Sequence, residues 1–117
     1  MLDKKSILQC DDLPKELVSV PEWGGDVFVR TLSGQERDMF EQSMMEGKGK
    51  NRDMNLKNIR ARLSVLTICT EDGTRLFEAK DVDALGKKSA AALDRIFSVA
   101  QKLNGLSGED VEELAGN

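Results

Sequence analysis

The chain has 117 residues, of which 32% are charged and 39% hydrophobic, with a formal net charge of −4 and no histidine. This composition is typical of a single globular domain, and its negative charge argues against a general nucleic-acid binder, whose surface would be basic. No apolar run approaches the roughly 20 residues that span a bilayer, and the N-terminal stretch lacks the features of a signal peptide.

We therefore expect one domain over residues 1–117 that remains in the cytoplasm, with residues 1–12 flexible. Cys10 and Cys69 lie far apart in the sequence and fit no metal-binding spacing. The simplest interpretation is two reduced thiols, with Cys69 buried.

A β-hairpin is predicted over residues 16–32, ELVSVPEWGGDVFVRTL. Two short runs rich in β-branched residues flank a break that begins at Pro21, which ends the first run. Gly24 and Gly25 can adopt the positive φ angles that a tight reversal needs.

A helix is predicted directly after the hairpin. Ser33 and Glu36 have the spacing of a capping box, in which each side chain hydrogen-bonds the backbone amide of the other. Gly47 should end this helix. Its predicted stripe consists of Met39, Phe40, Ser43 and Met44.

Residues 47–55, GKGKNRDMN, are predicted to form a mobile basic loop. A phosphate-binding loop is not supported, because these glycines follow a helix and the hydroxyl residue after the lysine is missing. A solvated linker is the simplest interpretation. Contact of Lys48, Lys50 and Arg52 with a partner or with RNA is the alternative.

A second helix is predicted from Asn55 to about Cys69, because apolar residues recur at spacings of three and four. Its end, VLTICT, could equally form a strand, since it is short, continuous and β-branched. Residues 71–73, EDG, predict a turn rather than a calcium loop, whose other oxygen ligands are missing.

The most amphipathic helix is predicted to begin at Ser89, after a short turn that is capped by Asp81 and ends at Gly86. Asn104 and Gly105 should close this helix. Its stripe is expected to be largely buried and comprises Leu93, Ile96, Phe97, Ala100 and Leu103, with Leu63 and Leu66 on the partner helix.

A tight C-terminal corner is predicted after this long helix. Leu106 should fold back over the last turn, and Ser107 then starts a short helix with Val111 and Leu114 on one face. The predicted fold class is therefore α+β, with an N-terminal β-hairpin followed by a mainly helical domain of about four helices.

Catalytic machinery is absent from the sequence patterns. Without histidine there is no imidazole base and no Ser-His or Cys-His pair. No dinucleotide fingerprint or zinc-ligand cluster occurs either. We expect no catalytic residue, no cofactor and no metal ion, and therefore a binding protein rather than an enzyme.

Three pieces of the chain carry a family resemblance: the VPEWGG turn leading into RTLSGQERD, the NIRARL helix and the LNGLSGEDVEEL end. On these motifs the chain from about Leu13 to Asn117 resembles the tail assembly chaperones of long-tailed phages and prophages. None of these motifs is catalytic, since they are packing and capping motifs.

The resemblance implies a small α+β protein that acts in the bacterial cytoplasm and is absent from the mature virion. In such systems the chaperone coats the long, hydrophobic, helical tape-measure protein and helps to recruit tail-tube subunits around it. A longer form is often made by a ribosomal frameshift. A homo-oligomer is compatible with this role, whereas a membrane partner is not expected.

The candidate partner-binding residues are Leu106, Val111, Leu114, Lys48, Lys50 and Arg52. Two other functions stay open at this point. One is a structural part of the virion, such as a head–tail joining protein. The other is a nucleic-acid accessory protein that uses the basic segment 48–62, although the acidic chain disfavours nucleic acid.

Overall fold

A three-stranded antiparallel sheet in the order β1-β2-β3 is combined with helices in the computed structural model, which describes residues 1–45 and 55–106. The elements are α1 (Lys4–Gln9), β1 (Lys15–Val20), a 3-10 turn (Pro21–Trp23), β2 (Gly25–Arg30), α2 (Gly34–Met44), α3 (Ile59–Thr67), β3 (Ile68–Cys69), a second 3-10 turn (Ala79–Asp81), α4 (Val82–Gly86) and α5 (Ala90–Leu103). The predicted α+β class is confirmed, and four α-helices follow the hairpin within the described ranges.

The predicted hairpin is confirmed, with β1 and β2 paired from Lys15↔Arg30 to Val20↔Gly25. Gly24 closes the 3-10 turn at φ 75° and donates its amide to the Pro21 carbonyl at 3.0 Å. The expectation of positive φ at Gly25 is wrong, because this residue is already the first extended residue of β2. One left-handed residue suffices because the 3-10 turn completes the reversal.

The capping box of α2 is confirmed. The Ser33 hydroxyl accepts from the Glu36 amide at 3.1 Å, and the Glu36 carboxylate accepts from the Ser33 amide at 3.0 Å. Phe40 and Met44 are buried, whereas Met39 is 47% exposed. The predicted stop at Gly47 and the basic loop lie outside the described residues, apart from Asn55.

The prediction of one helix from Asn55 to Cys69 is wrong at both ends. α3 begins at Ile59, after Asn58 in the left-handed region at φ 55°, and it ends at Thr67. Ile68 and Cys69 then pair with β2 as a third strand, as the alternative interpretation allowed. These two residues form a strand because pairing with β2 satisfies their backbone hydrogen bonds while both side chains become buried.

The predicted turn at residues 71–73 is confirmed, with Gly73 at φ 89°. Asp72 accepts hydrogen bonds from the Thr70 hydroxyl and the Thr74 amide, and these lower the pKa of its carboxyl to about 2. The backbone beyond it forms an isolated bridge between Arg75 and Cys69.

The predicted cap of α4 is wrong, although the helix ends at Gly86 as expected. The Asp81 carboxylate accepts from the Glu78 amide at 2.8 Å and so completes the preceding 3-10 turn. α4 therefore begins at Val82 without a side-chain cap. The Asp81 carboxylate could cap either the 3-10 turn or α4, and it forms its hydrogen bond within the 3-10 turn.

The long helix α5 begins as predicted, since the Ser89 hydroxyl accepts from the Ala92 amide at 3.2 Å. α5 packs against α3 and against both strands of the hairpin. Of its stripe, Leu93, Ile96 and Ala100 are buried as expected, whereas Phe97 and Leu103 are only partly buried.

The C-terminal end of α5 forms the predicted stop. Gly105 lies in the left-handed region and donates to the Lys102 carbonyl at 3.3 Å, while Leu106 donates to the Gln101 carbonyl at 2.8 Å. This pair of bonds is the Schellman arrangement. Leu106 folds back as expected, and its side chain is buried in the main core.

The core has two parts. The main cluster joins the sheet to α2, α3 and α5 through Val18, Val20, Val29, Leu32, Phe40, Met44, Leu63, Leu66, Ile68, Ala92, Ile96, Ala100 and Leu106. A smaller cluster lies between α3, α4 and α5 and consists of Ala61, Val65, Leu85 and Leu93. The predicted burial of Leu63, Leu66 and Cys69 is confirmed.

The N-terminal segment forms the short helix α1, which Asp3 caps by accepting from the Ser6 amide at 2.9 Å. None of its residues is buried. The expected flexibility of residues 1–12 stays a prediction. Within the described ranges, no helix combines the length and the apolar character that crossing a membrane requires.

Candidate functional site

An apolar groove opens beside the hairpin turn and α4. Its volume is about 590 Å³. We call it the Trp23 groove, and it is lined by Trp23, Phe77, Asp81, Ala84, Leu85 and Lys88.

Trp23 is positioned by the turn that carries it. It ends the 3-10 turn between β1 and β2, and its side chain packs against both core clusters while staying partly exposed. The preceding residue, Glu22, forms an ion pair and hydrogen bond with Arg95, which ties the turn to α5. Packing against both clusters holds the Trp23 side chain in place.

Phe77 also lines the groove, and it comes from a distant part of the chain. The Leu76 amide donates to the Ile68 carbonyl at 3.1 Å, so the residues before Phe77 run along β3. Phe77 then packs against both core clusters, as Trp23 does, and is partly exposed. The groove therefore forms where the two parts of the core meet.

The floor of the groove is apolar and its remaining lining is charged. Leu85 is 6% exposed and belongs to the smaller cluster. Asp81 and Lys88 also line the groove, and within the described part of the chain neither forms an ion pair. Such a cavity can receive an apolar side chain of a partner, while its acidic and basic side chains contact polar residues on either side of that side chain.

A buried ion pair lies at the start of α2. The Arg30 guanidinium donates to both Glu36 oxygens, at 2.9 and 2.8 Å, and Arg75 lies 3.8 Å from one of them. Burial raises the pKa of the Glu36 carboxyl, but hydrogen bonds from Arg30 and Ser33 outweigh it, and the net pKa is lowered. The buried Nε atoms of Arg30 and Arg75 have no hydrogen-bond partner within the described residues. Because Arg30 and Glu36 bind each other through two hydrogen bonds, we assign the cluster to anchoring α2 on β2.

Most of the sequence-predicted partner residues lie outside the described ranges, namely Lys48, Lys50, Arg52, Val111 and Leu114. Leu106 is described, and it is 3% exposed. Its side chain therefore belongs to the core as the structure describes it. A role for any of these residues in partner binding stays a prediction.

Two of the three cationic side chains in the described part of the basic segment are engaged within the fold. Arg60 forms an ion pair with Asp94 of α5. Arg62 donates to the Ser43 hydroxyl at 2.9 Å and to the Asn55 carbonyl. These contacts join α3 to neighbouring elements, so Arg60 and Arg62 do not make a free cationic patch.

Metal ligands do not gather in the described ranges, where no group of three or more Cys, Asp or Glu side chains is arranged to hold an ion. The groove was not predicted from the sequence. The one available indication was Trp23 itself, an aromatic residue inside the VPEWGG turn, which is part of one of the three motifs that carry the family resemblance. Nothing local links it to Phe77.

The comparisons with known proteins agree with the fold. A family described as phage tail assembly chaperone matches residues 10–117. Among solved structures, the tail assembly chaperone of bacteriophage HK97 is similar at a TM-score of 0.61 and 20% sequence identity, over 85% of this chain and 94% of that chain. The likeness to that structure shows a shared fold. No curated protein matches the sequence.

Proposed function

Because the chain belongs to the phage tail assembly chaperone family, we propose that it binds the tape-measure protein and helps to recruit tail-tube subunits while the tail is built. The role is one of binding, without a chemical reaction. It is carried out in the cytoplasm of the bacterial host, and the protein is absent from the mature virion.

The observation that carries this proposal beyond the family is the Trp23 groove. The family resemblance implies that the tape-measure protein is a long apolar helix. The exposed side chains of such a helix need to be covered until the tube surrounds it. Helix-binding grooves commonly receive such side chains between aromatic residues, and tryptophan is enriched at the energetic centre of interfaces. The groove volume of about 590 Å³ holds a large apolar side chain.

A second contact is proposed at the C-terminal corner, residues 104–117, and in the basic loop. Here Val111 and Leu114 would add apolar contacts, while Lys48, Lys50 and Arg52 would contact acidic partner groups. The fold supports a separate docking element at this end because the Schellman stop fixes the direction of the chain at Leu106.

The test is an affinity pull-down of the tagged full chain from infected or lysogenic cells at moderate salt. We expect mass spectrometry to find the tape-measure protein in the eluate and to find no chaperone in purified virions. Recovery of nucleic acid alone would contradict the proposal. So would a stoichiometric amount of the chain in virions, which would indicate a structural part instead.

A further inference from the structure

A second cavity lies beside the Trp23 groove, where the start of α3, the end of α4 and the start of α5 meet. Its volume is about 190 Å³. We call it the Leu56 cavity, and the residues that line it include Leu56, Ile59, Gly86, Lys88, Ala90 and Leu93. Leu56 is 42% exposed, whereas Leu93 is buried in the smaller core cluster. The cavity therefore combines a buried apolar wall with an exposed apolar wall.

Contacts between α3 and α4 hold this cavity together. The Asn58 side-chain amide donates to the Asp83 carboxylate at 3.1 Å, which ties the start of α3 to α4. Gly86 permits the close approach, because a Cβ atom at this position would lie 2.9 Å from the Asn58 Oδ1 atom. The fold itself therefore builds the cavity at a junction of three helices.

Lys88 links the two cavities, because it lines both the Trp23 groove and the Leu56 cavity. Its amide donates to the Leu85 carbonyl at 3.0 Å, and the next residue, Ser89, caps α5. Within the part of the chain that the structure describes, its exposed side chain forms no ion pair. A lysine can lay its aliphatic stem along apolar surface and keep its ammonium in water. An accessible positive charge therefore lies between two apolar cavities.

We propose that the Trp23 groove and the Leu56 cavity form one continuous binding surface, in which Lys88 selects the bound segment. Each cavity receives an apolar side chain from the same face of the partner helix, and Lys88 pairs with a carboxylate between them. Because one residue lines both cavities, these apolar side chains should lie one or two helical turns apart, about 5–11 Å. The inference rests on the proposed function, in which the partner is the tape-measure protein.

The charges along this surface also give the partner helix a direction. Asp81 lines the Trp23 groove but not the Leu56 cavity, so it disfavours a carboxylate at that end. Arg60 also lines the Leu56 cavity, and it already pairs with Asp94. Lys88 is therefore the cation available to an acidic residue of the partner. Complementary charges of this kind fix the register and orientation of a helix that apolar contacts alone would leave undetermined.

Charge reversal at Lys88 tests the selection. The probe is the helical tape-measure segment that the unmodified chain binds most tightly in calorimetry. Lys88→Glu should raise the Kd at least tenfold. Lys87→Glu changes the net charge equally at an exposed neighbour that lines neither cavity, and it should leave the Kd unchanged. A segment whose paired acidic residue is replaced by lysine should bind Lys88→Glu more tightly than it binds the unmodified chain.

Filling the Leu56 cavity provides an independent measurement. Ala90 lines it, whereas the adjacent Ala91 lines neither cavity, and both residues are exposed on α5. Ala90→Arg should raise the Kd for the same segment at least tenfold, and Ala91→Arg should leave it unchanged. Thermal unfolding of both variants should match that of the unmodified chain, which separates lost binding from lost folding.

The outcomes distinguish this inference from the proposed function. If Ala84→Arg in the Trp23 groove weakens binding while Lys88→Glu and Ala90→Arg do not, the continuous surface is wrong and the proposed function stands. Equal effects of Lys87→Glu and Lys88→Glu would show that only the net charge matters, and would overturn the selection by Lys88. A chain that binds no tape-measure segment overturns the proposed function and this inference together.

Discussion

Glu36 shows how one side chain can serve two structural roles. It completes the capping box of α2 and also receives both guanidinium nitrogens of the buried Arg30. Its removal leaves Arg30, which is 5% exposed, without its counter-charge and beside the cationic Arg75. Breaking one partner of a buried pair costs more than the pair itself contributes, because the remaining charge stays desolvated.

We therefore expect Glu36→Gln to lower the free energy of unfolding by about 3 kcal/mol, measured by urea denaturation. The matched control is Glu41→Gln, which removes an exposed pair with Arg37 and should cost less than about 1 kcal/mol. Equal effects of the two substitutions would show that the Arg30–Glu36 pair is no more important than a surface pair.

The lowered pKa of the Glu36 carboxyl predicts that the stability of the fold depends on pH. The pKa of Glu36 in the folded chain is below the ordinary value of 4.5. The ionised carboxylate therefore contributes its full stabilisation of the fold above pH 4.5, and this stabilisation is lost as the pH falls through the folded pKa. Stability of the unmodified chain should therefore decrease as the pH falls below about 4.5. The decrease should be shallower in Glu36→Gln, and identical slopes would contradict this assignment.

The two turn glycines give a second prediction at the residue scale. Gly24 lies at φ 75°, whereas Gly25 is extended, and both positions have open space for a side chain. Gly24→Val should cost about 1–3 kcal/mol from backbone strain alone, and Gly25→Val much less. Thermal unfolding of the two variants compares them directly. Equal destabilisation would mean that strain at Gly24 is not the cause.

At the scale of elements, α5 organises the core. Ile96 is fully buried, whereas its neighbour Phe97 lies at the edge of the main cluster. Ile96→Ala should cost about 2–5 kcal/mol. Truncating a fully buried phenylalanine to alanine costs about 3–5 kcal/mol, and Phe97→Ala should cost less because Phe97 is only partly buried. If denaturant unfolding shows a larger loss of stability for Phe97→Ala than for Ile96→Ala, the packing described for α5 is wrong.

Elements with local determinants were predictable from the sequence. The hairpin, the capping box at Ser33 and the stripe of α5 each depend on residues within a few positions of one another. β3 was predictable only as an alternative, because Ile68 and Cys69 become a strand through pairing with distant β2. The cap at Asp81 failed for a local reason, since two turns start within a few residues.

The candidate site was less predictable than the fold. Trp23 and Phe77 lie far apart in the sequence, and they meet only because the segment after β3 folds back beside the hairpin turn. The predicted partner residues were chosen from composition and periodicity. Those signals identify exposed basic loops and apolar stripes, and they do not identify a groove between two core clusters.

At the scale of the whole molecule, we expect the C-terminal corner, residues 104–117, to contribute to partner binding more than to folding. Truncation after Leu106 keeps the buried leucine and its bond to Gln101. We expect the truncated chain to melt near the temperature of the full chain but to recover less tape-measure protein in a pull-down. If melting temperature and recovery fall together, the corner is part of the core instead of a docking element.

The central claim is that the Trp23 groove binds an apolar helix of the tape-measure protein. The most direct test is the affinity of the purified chain for a helical segment of that protein, measured by calorimetry for two variants. Ala84 lines the groove and Ala91 lies on α5 outside it, and both are exposed. We predict that Ala84→Arg raises the Kd at least tenfold, whereas Ala91→Arg leaves it unchanged. Equal affinities for the two variants would contradict the claim.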